Sequence, residues 1–186
     1  MSTTARGAFD PKGRRKYLNE TEGRRFLQEA RRLPLVQAIF CETIYYTGCR
    51  ISEALNITGV DVDCEAGAVV IHTLKKRRKV SRRIPIPERL LKQLQELGIA
   101  AGGKRLLPFC RTTGWRIIKR VMKAAMIEGL QACPKGLRHG FGVRCALQQI
   151  PLPIIRDWMG HSCISTTEIY LAVKGEEERA LIRKTW

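Results

Sequence analysis

Val60-Asp61-Val62-Asp63 precedes a turn at Glu65-Ala66-Gly67, and Val69-Val70-Ile71 then forms a β-branched run that ends near Leu74. After a basic stretch, Lys75-Lys76-Arg77-Arg78-Lys79, alternation resumes at Arg83-Ile84-Pro85-Ile86. Short β-branched runs separated by turn residues predict a small three-stranded antiparallel sheet. Pro85 has no amide hydrogen to give a ladder, so the last strand should be an edge or end there.

On either side of this stretch the apolar spacing is helical. Asn19 reads as an N-cap with Glu22 completing a capping box, which turns Phe26 and Leu27 inward. Pro34 can open a second helix whose apolar face is Leu35, Ile39, Cys41, Ile44 and Tyr45, with Gly48 as its end. A short helix from about Ser52 follows. Pro87 opens another, carrying Leu90, Leu91, Leu94 and Leu97, with Gly98 as terminator. Thr113 can cap a helix to about Glu128, striped by Ile117, Ile118, Val121, Met122 and Ala125. Helices near 136–149, 152–159 and 165–173 complete a fold that is mainly α with one small sheet. Residues 1–18 are expected to be a basic flexible tail, and a charged segment, residues 175–186, closes the chain.

The chain has 186 residues, enough for one domain with a real core, but 34 Lys and Arg face 17 Asp and Glu, for a net charge of +17. Such an excess is self-repulsive without a polyanionic partner, and nucleic acid is the first expectation. No apolar run approaches the roughly 20 residues of a membrane span, and Met1 to Lys16 lacks the apolar core of a signal peptide. The seven cysteines include no C-x-x-C pair, so neither a metal centre nor a disulfide framework is expected. There is no phosphate-binding G-x-x-x-x-G-K-[ST] loop and no cluster of metal-binding carboxylates. No cofactor is predicted.

Three segments carry chemistry. Gly160-His161-Ser162-Cys163-Ile164-Ser165-Thr166-Thr167-Glu168-Ile169-Tyr170 places a tyrosine nine residues after a histidine on what reads as a short helix. Pro134-Lys135-Gly136-Leu137-Arg138-His139 and Thr47-Gly48-Cys49-Arg50-Ile51-Ser52-Glu53 each hold an arginine. Guanidinium forks bind the non-bridging oxygens of a phosphodiester bidentately and stabilise the charge that concentrates in its pentavalent transition state. A phenol, with an ordinary pKa of about 10, becomes a nucleophile when cations favour its anion or a base takes its proton.

Two arginines, a histidine and a tyrosine in this order, within T-G-x-R-x-S-E, G-L-R-H and G-H-S-x-I-S-T-T-x-x-Y, resemble the active site of the tyrosine recombinases, the phage-integrase family. The likeness runs from about Asn19 to Val173. It implies a largely helical catalytic domain with a three-stranded sheet, and a site-specific recombinase that cuts and rejoins DNA through a 3′-phosphotyrosyl link without metal or ATP. Tyr170 would be the nucleophile, and Arg50, Arg138 and His161 would bind the phosphate. A lysine between the second and third strands would protonate the leaving 5′ oxygen, with Lys75 the first choice and Lys76 the second. Lys76, Arg77, Arg78, Lys79 and Arg82 are expected on the DNA backbone. Lys135 stands where the family most often has histidine; it can donate to phosphate, which leaves the acceptor of the tyrosine's proton open. His139 is expected to pack or bond locally, and His72 carries no functional signal.

The resemblance further implies double-stranded recombination sites as substrate, a homotetramer on paired sites, accessory DNA-bending proteins as partners and a cytoplasmic, nucleoid-associated setting in a bacterium, phage or mobile element. Only about 18 residues precede the catalytic pattern, the layout of the single-domain fimbrial-switch recombinases or of an excised domain. Residues 175–186 are a candidate for exchange between protomers. The alternatives are a type IB topoisomerase-like nicking-closing enzyme, which shares the chemistry, and an inactive DNA-binding regulator.

Overall fold

The computed structural model describes residues 7–73, 80–163, 165–170 and 182–183. Asn19 caps α1 (Glu20–Ala30): its side chain accepts from the Glu22 amide at 2.8 Å, while the Glu22 carboxylate accepts from the Asn19 amide at 3.1 Å. α2 (Leu35–Thr47) begins after Pro34 and ends at Gly48, whose φ of 61° is left-handed. The chain turns there into the single helical turn α3 (Ile51–Ala54). A 3-10 turn, Gly59–Asp61, replaces the first half of the expected opening strand, leaving β1 only Val62–Asp63. β2 (Ala68–His72) and β3 (Ser81–Pro85) complete an antiparallel sheet in the order β1-β2-β3, with Val69 opposite Ile84 and His72 opposite Ser81. The His72 ring braces the sheet, its Nε2 2.6 Å from the buried Asp61 carboxylate and its Nδ1 2.8 Å from the Ser81 hydroxyl.

α4 (Glu88–Ala101) runs past Gly98, the expected terminator, and stops at Gly102. Gly98 stays helical because its bare Cα face meets Gly59: a Cβ at Gly98 would lie 3.0 Å from the Gly59 Cα. α5 (Arg111–Ala124) is capped by Cys110 rather than Thr113, whose amide donates to the Cys110 sulfur at 3.4 Å. α6 (Pro134–Leu147), α7 (Leu152–Met159) and the short α8 (Ser165–Glu168) follow.

Burial divides into two clusters. The larger joins α1, α2, α4 and α5 to the inner sheet face through Phe26, Phe40, Ile44, Ile71, Ile84, Leu94 and Ile118. Each such side chain contributes roughly 1.5–3 kcal/mol of burial free energy. The smaller gathers Ala8, Tyr17, Phe141, Val143, Ile155, Met159 and Tyr170.

Membership of Ala8 and Tyr17 corrects the expectation of a flexible tail over residues 1–18. Residues 7–18, the described part, form a hairpin with a bridge between Phe9 and Arg15. The Asp10 carboxylate accepts from the Arg14 amide at 2.7 Å and closes the turn. Phe9 meets Tyr17 edge-on, and the Leu18 amide donates to the Gly136 carbonyl at 3.2 Å. A few apolar residues at the two ends of a polar stretch suffice to pin it. Of residues 175–186, only Ile182 and Arg183 are described.

Candidate active site

The T-G-x-R-x-S-E segment is a sharp corner between two helices. The Thr47 hydroxyl donates to the Thr43 carbonyl at 2.6 Å and accepts from the Cys49 amide at 3.2 Å. Gly48 is required twice over, by its positive φ and because a Cβ would lie 2.5 Å from the Phe141 ring. Arg50 then stands at the N-cap of α3, its amide donating to Glu53 Oε2 at 2.9 Å and its guanidinium to Glu53 Oε1 at 2.8 Å.

Glu53 is buried and takes a third donor, Arg82, at 2.6 Å. Burial raises the cost of its charge, yet Arg82, the Arg50 amide and the Arg50 guanidinium together hold the carboxyl below the ordinary carboxylate range. The other Arg82 nitrogens donate to the Trp158 carbonyl at 2.6 Å and the Thr73 hydroxyl at 3.0 Å. Arg82 therefore ties β3 to α3 and to the end of α7.

α6 supplies the second arginine. Lys135, Arg138, His139 and Gly142 fall at helical spacings on one side of it. Arg138 donates through one nitrogen to the Gly48 carbonyl at 2.7 Å and through the other to the Met159 carbonyl. Burial first and Arg50 second pull its pKa down to about 10, which leaves it charged at neutral pH.

α7 ends at Gly160, left-handed at φ 60°, where a Cβ would stand 3.2 Å from the Arg82 guanidinium. His161 follows, its Nδ1 3.0 Å from the hydroxyl of buried Thr167, and its ring stacks at 6.3 Å and 21° on that of Tyr170. Arg82, Arg83, Trp158, Gly160 and His161 line a groove of about 680 Å³ between β3 and α7.

Tyr170 packs into the gap left by Gly142, where a Cβ would lie 2.5 Å from its ring. Its hydroxyl is 3.0 Å from His139 Nδ1. Burial pushes the phenol up to about 12 against the opposing pull of Arg138 and Arg50. Burial, followed by Lys135 and Arg138, lowers His139 to about 4; burial, followed by Arg138 and Arg50, lowers His161 to about 4. Both rings are neutral at pH 7.

A family model describing the phage integrase family matches residues 16–177. The chain belongs to the phage integrase family. It is 26% identical over 185 residues to tyrosine recombinase XerA of Pyrococcus furiosus, covering 94% of this chain and 63% of that protein. It is 28% identical over 163 residues to tyrosine recombinase XerD of Yersinia pestis, covering 80% and 54%. The chain thus spans between about half and two thirds of these relatives' length. The same fold occurs in a crystal structure of XerA recombinase, at TM-score 0.77 and 23% identity over 91% of this chain and 64% of that one. It also occurs in the catalytic domain of bacteriophage HP1 integrase, at TM-score 0.65 and 22% identity over 90% and 93%.

In this phage integrase family member, Arg50, Arg138, His161 and Tyr170 lie near one another. Lys135 lies one helical turn before Arg138 and is exposed. Lys75, Lys76, Arg77, Arg78 and Lys79 fall outside the described residues. Arg82 is corrected: its side chain is 5% exposed and its nitrogens are spent on Glu53, Thr73 and Trp158, so it is a buried brace and not a DNA-backbone contact. His139 is also corrected, since it touches the candidate nucleophile. Its position four residues after Lys135 and one after Arg138 was the available signal. Glu53 was readable as the capping residue three after Arg50. Among the described residues, no group of three or more His, Cys, Asp or Glu is placed to hold a metal, and no helix is long and apolar enough to cross a membrane.

Proposed function

We propose that this chain is the catalytic part of a site-specific DNA recombinase acting through a 3′-phosphotyrosyl intermediate. The observation that carries this reading is that Tyr170 lies within electrostatic reach of both Arg138 and Arg50, with the His161 ring beside its own. Arg50 and Arg138 bind the non-bridging oxygens of the scissile phosphate, and their charge is in place before DNA arrives, which is the form in which electrostatic stabilisation is most effective. His161 adds a neutral hydrogen-bond donor, and Lys135 a cation at the rim. Tyr170 Oη attacks phosphorus and the 5′ oxygen leaves, protonated by a lysine of the basic turn, Lys75 before Lys76. The remaining basic residues of that turn, Arg77, Arg78 and Lys79, hold the DNA backbone. Attack by the hydroxyl of a second strand reverses the step, and the energy of the broken ester is conserved in the protein–DNA link, so neither ATP nor metal is needed.

The relatives named recombinases support this assignment. So does one solved neighbour, XerH site-specific recombinase bound to palindromic difH substrate in a post-cleavage complex, at TM-score 0.71 and 23% identity over 91% of this chain. Paired double-stranded sites, a homotetramer with exchange of residues 175–186, accessory DNA-bending proteins and a nucleoid setting belong to the same proposal.

The test is a trapping assay on nicked duplex carrying the ends of the element that encodes the protein, without added metal. Wild type should give an adduct that survives denaturation, and Tyr170→Phe should give none. An adduct that persists in Tyr170→Phe would overturn the nucleophile assignment. Relaxation of supercoiled DNA without exchange between two sites would move the reading to a nicking-closing enzyme.

A further inference from the structure

The reaction proposed above rests on a proton leaving Tyr170, and the position where the family most often has histidine holds Lys135. A lysine ammonium has donors only and cannot take a proton. His161 has an imidazole, but its Nδ1 is engaged with the Thr167 hydroxyl at 3.0 Å and its ring plane runs nearly parallel to that of the tyrosine, with the centroids 6.3 Å apart. The Tyr170 hydroxyl meets His139 Nδ1 instead, at 3.0 Å.

We infer that His139 is a catalytic residue of this enzyme, the acceptor of the Tyr170 proton in cleavage and its donor in rejoining. The inference rests on Tyr170 being the nucleophile. His139 must carry its hydrogen on Nε2, leaving the Nδ1 lone pair toward the phenol. In cleavage the Tyr170 O–H bond breaks and the proton passes to Nδ1, the Oη–P bond forms, and the P–O5′ bond breaks with its electrons on the 5′ oxygen, which takes a proton from the lysine side. In rejoining the 5′ hydroxyl gives its proton back to the lysine as the P–O5′ bond forms, the Oη–P bond breaks, and the imidazolium returns its proton to the departing phenolate.

The neighbourhood fits this task. Burial first, and then the Lys135, Arg138 and Lys16 cations, hold the ring in its neutral form. A neutral ring is the one with a lone pair to offer. The incoming phosphate offsets those cations and makes the imidazolium easier to form at the moment the proton moves. Arg138 is the preceding residue on α6, so a phosphate held there arrives beside the hydroxyl that His139 already engages. Gly142, one turn on, gives the tyrosine ring room to reach this position.

The experiment measures single-turnover adduct formation on the nicked duplex that traps the wild-type protein. It compares wild type with His139→Ala and His139→Asn, each with Tyr170 and with a fluorinated tyrosine at 170 whose phenol ionises near neutral pH. With the natural tyrosine both variants should slow the step about 10²–10⁴-fold, the usual contribution of a positioned base. Asn keeps a hydrogen bond to the hydroxyl but accepts no proton, so it should not rescue. With the fluorinated tyrosine the defect should shrink to within about tenfold, because less of the barrier is proton removal. A rate near wild type in His139→Asn, or an equal loss with both tyrosines, would overturn the inference and leave His139 a positioning residue. The Tyr170→Phe control separates the two readings: an adduct surviving there fails the nucleophile assignment itself, and His139 with it.

Discussion

The two halves of the candidate active site are built on unequal foundations. Arg50 stands beside the larger cluster, which holds 31 buried apolar residues among those described, and through Glu53 and Arg82 it is tied to β3 and the end of α7, while Arg138 is held by the carbonyls of Gly48 and Met159. Tyr170 belongs to the smaller cluster of 8, on a segment whose helix is a single turn. Charge that must stabilise a transition state works best when it does not reorganise, whereas the nucleophile, buried at 1% exposure, is held by the smaller cluster alone. Stability is local, and moving parts come from its weak end. The cations sit where the fold is strong and the tyrosine where it is weak.

The most severe way to test this contrast is Glu53→Gln. The substitution keeps the shape and removes the counter-charge of the buried Arg82, and breaking a buried pair from one side costs about 3–5 kcal/mol. Thermal melting should drop by roughly 2–4 °C for each kcal/mol in a domain of this size. A melt indistinguishable from wild type would break the comparison. Gly142→Ala probes the other half. Its Cβ would drive into the Tyr170 ring, and overpacking of this kind costs about 1–3 kcal/mol. Hydrogen exchange of the amides in α8 should accelerate while those of α2 stay protected; equal acceleration in both would mean the two clusters unfold as one.

Acid tests the same contrast through the two histidines. His139 and His161 titrate near 4 in the folded protein against an ordinary 6.5, so between those values the unfolded chain binds more protons. Their contribution is complete above pH 6.5 and is lost as pH falls toward 4. The melting temperature should decline over that window, and less steeply in His139→Asn. An identical slope in wild type and variant would show that His139 does not sense folding.

Much of this arrangement was legible in the chain. The capping box at Asn19, the β-branched runs around Val69 and Ile84, and the glycines at 48 and 160 are local signals, and local structure follows them. What escaped were interactions between segments far apart in sequence. Arg82 reads as one more residue of a basic run, and only the fold carries Thr73, Glu53 and Trp158 to it. Gly98 reads as a helix end because sequence does not show Gly59 lying against it. The hairpin over residues 7–18 has too few apolar residues to announce itself, and its burial depends on a surface made by α6 and α7. His139 was judged by its neighbours in sequence, while its informative neighbour is 31 residues away.

Arg138 is gripped by the carbonyls of Gly48 and Met159, which are main-chain atoms. No exchange of one side chain for another deletes a carbonyl. A lineage that alters its groove, its DNA contacts or its tyrosine segment can therefore accumulate substitutions around this arginine without losing the groups that aim it, provided the corners at Gly48 and Gly160 keep their course. Arg50, which leans on the carboxylate of Glu53, has no such insurance, and a single codon change at residue 53 is enough to set it loose.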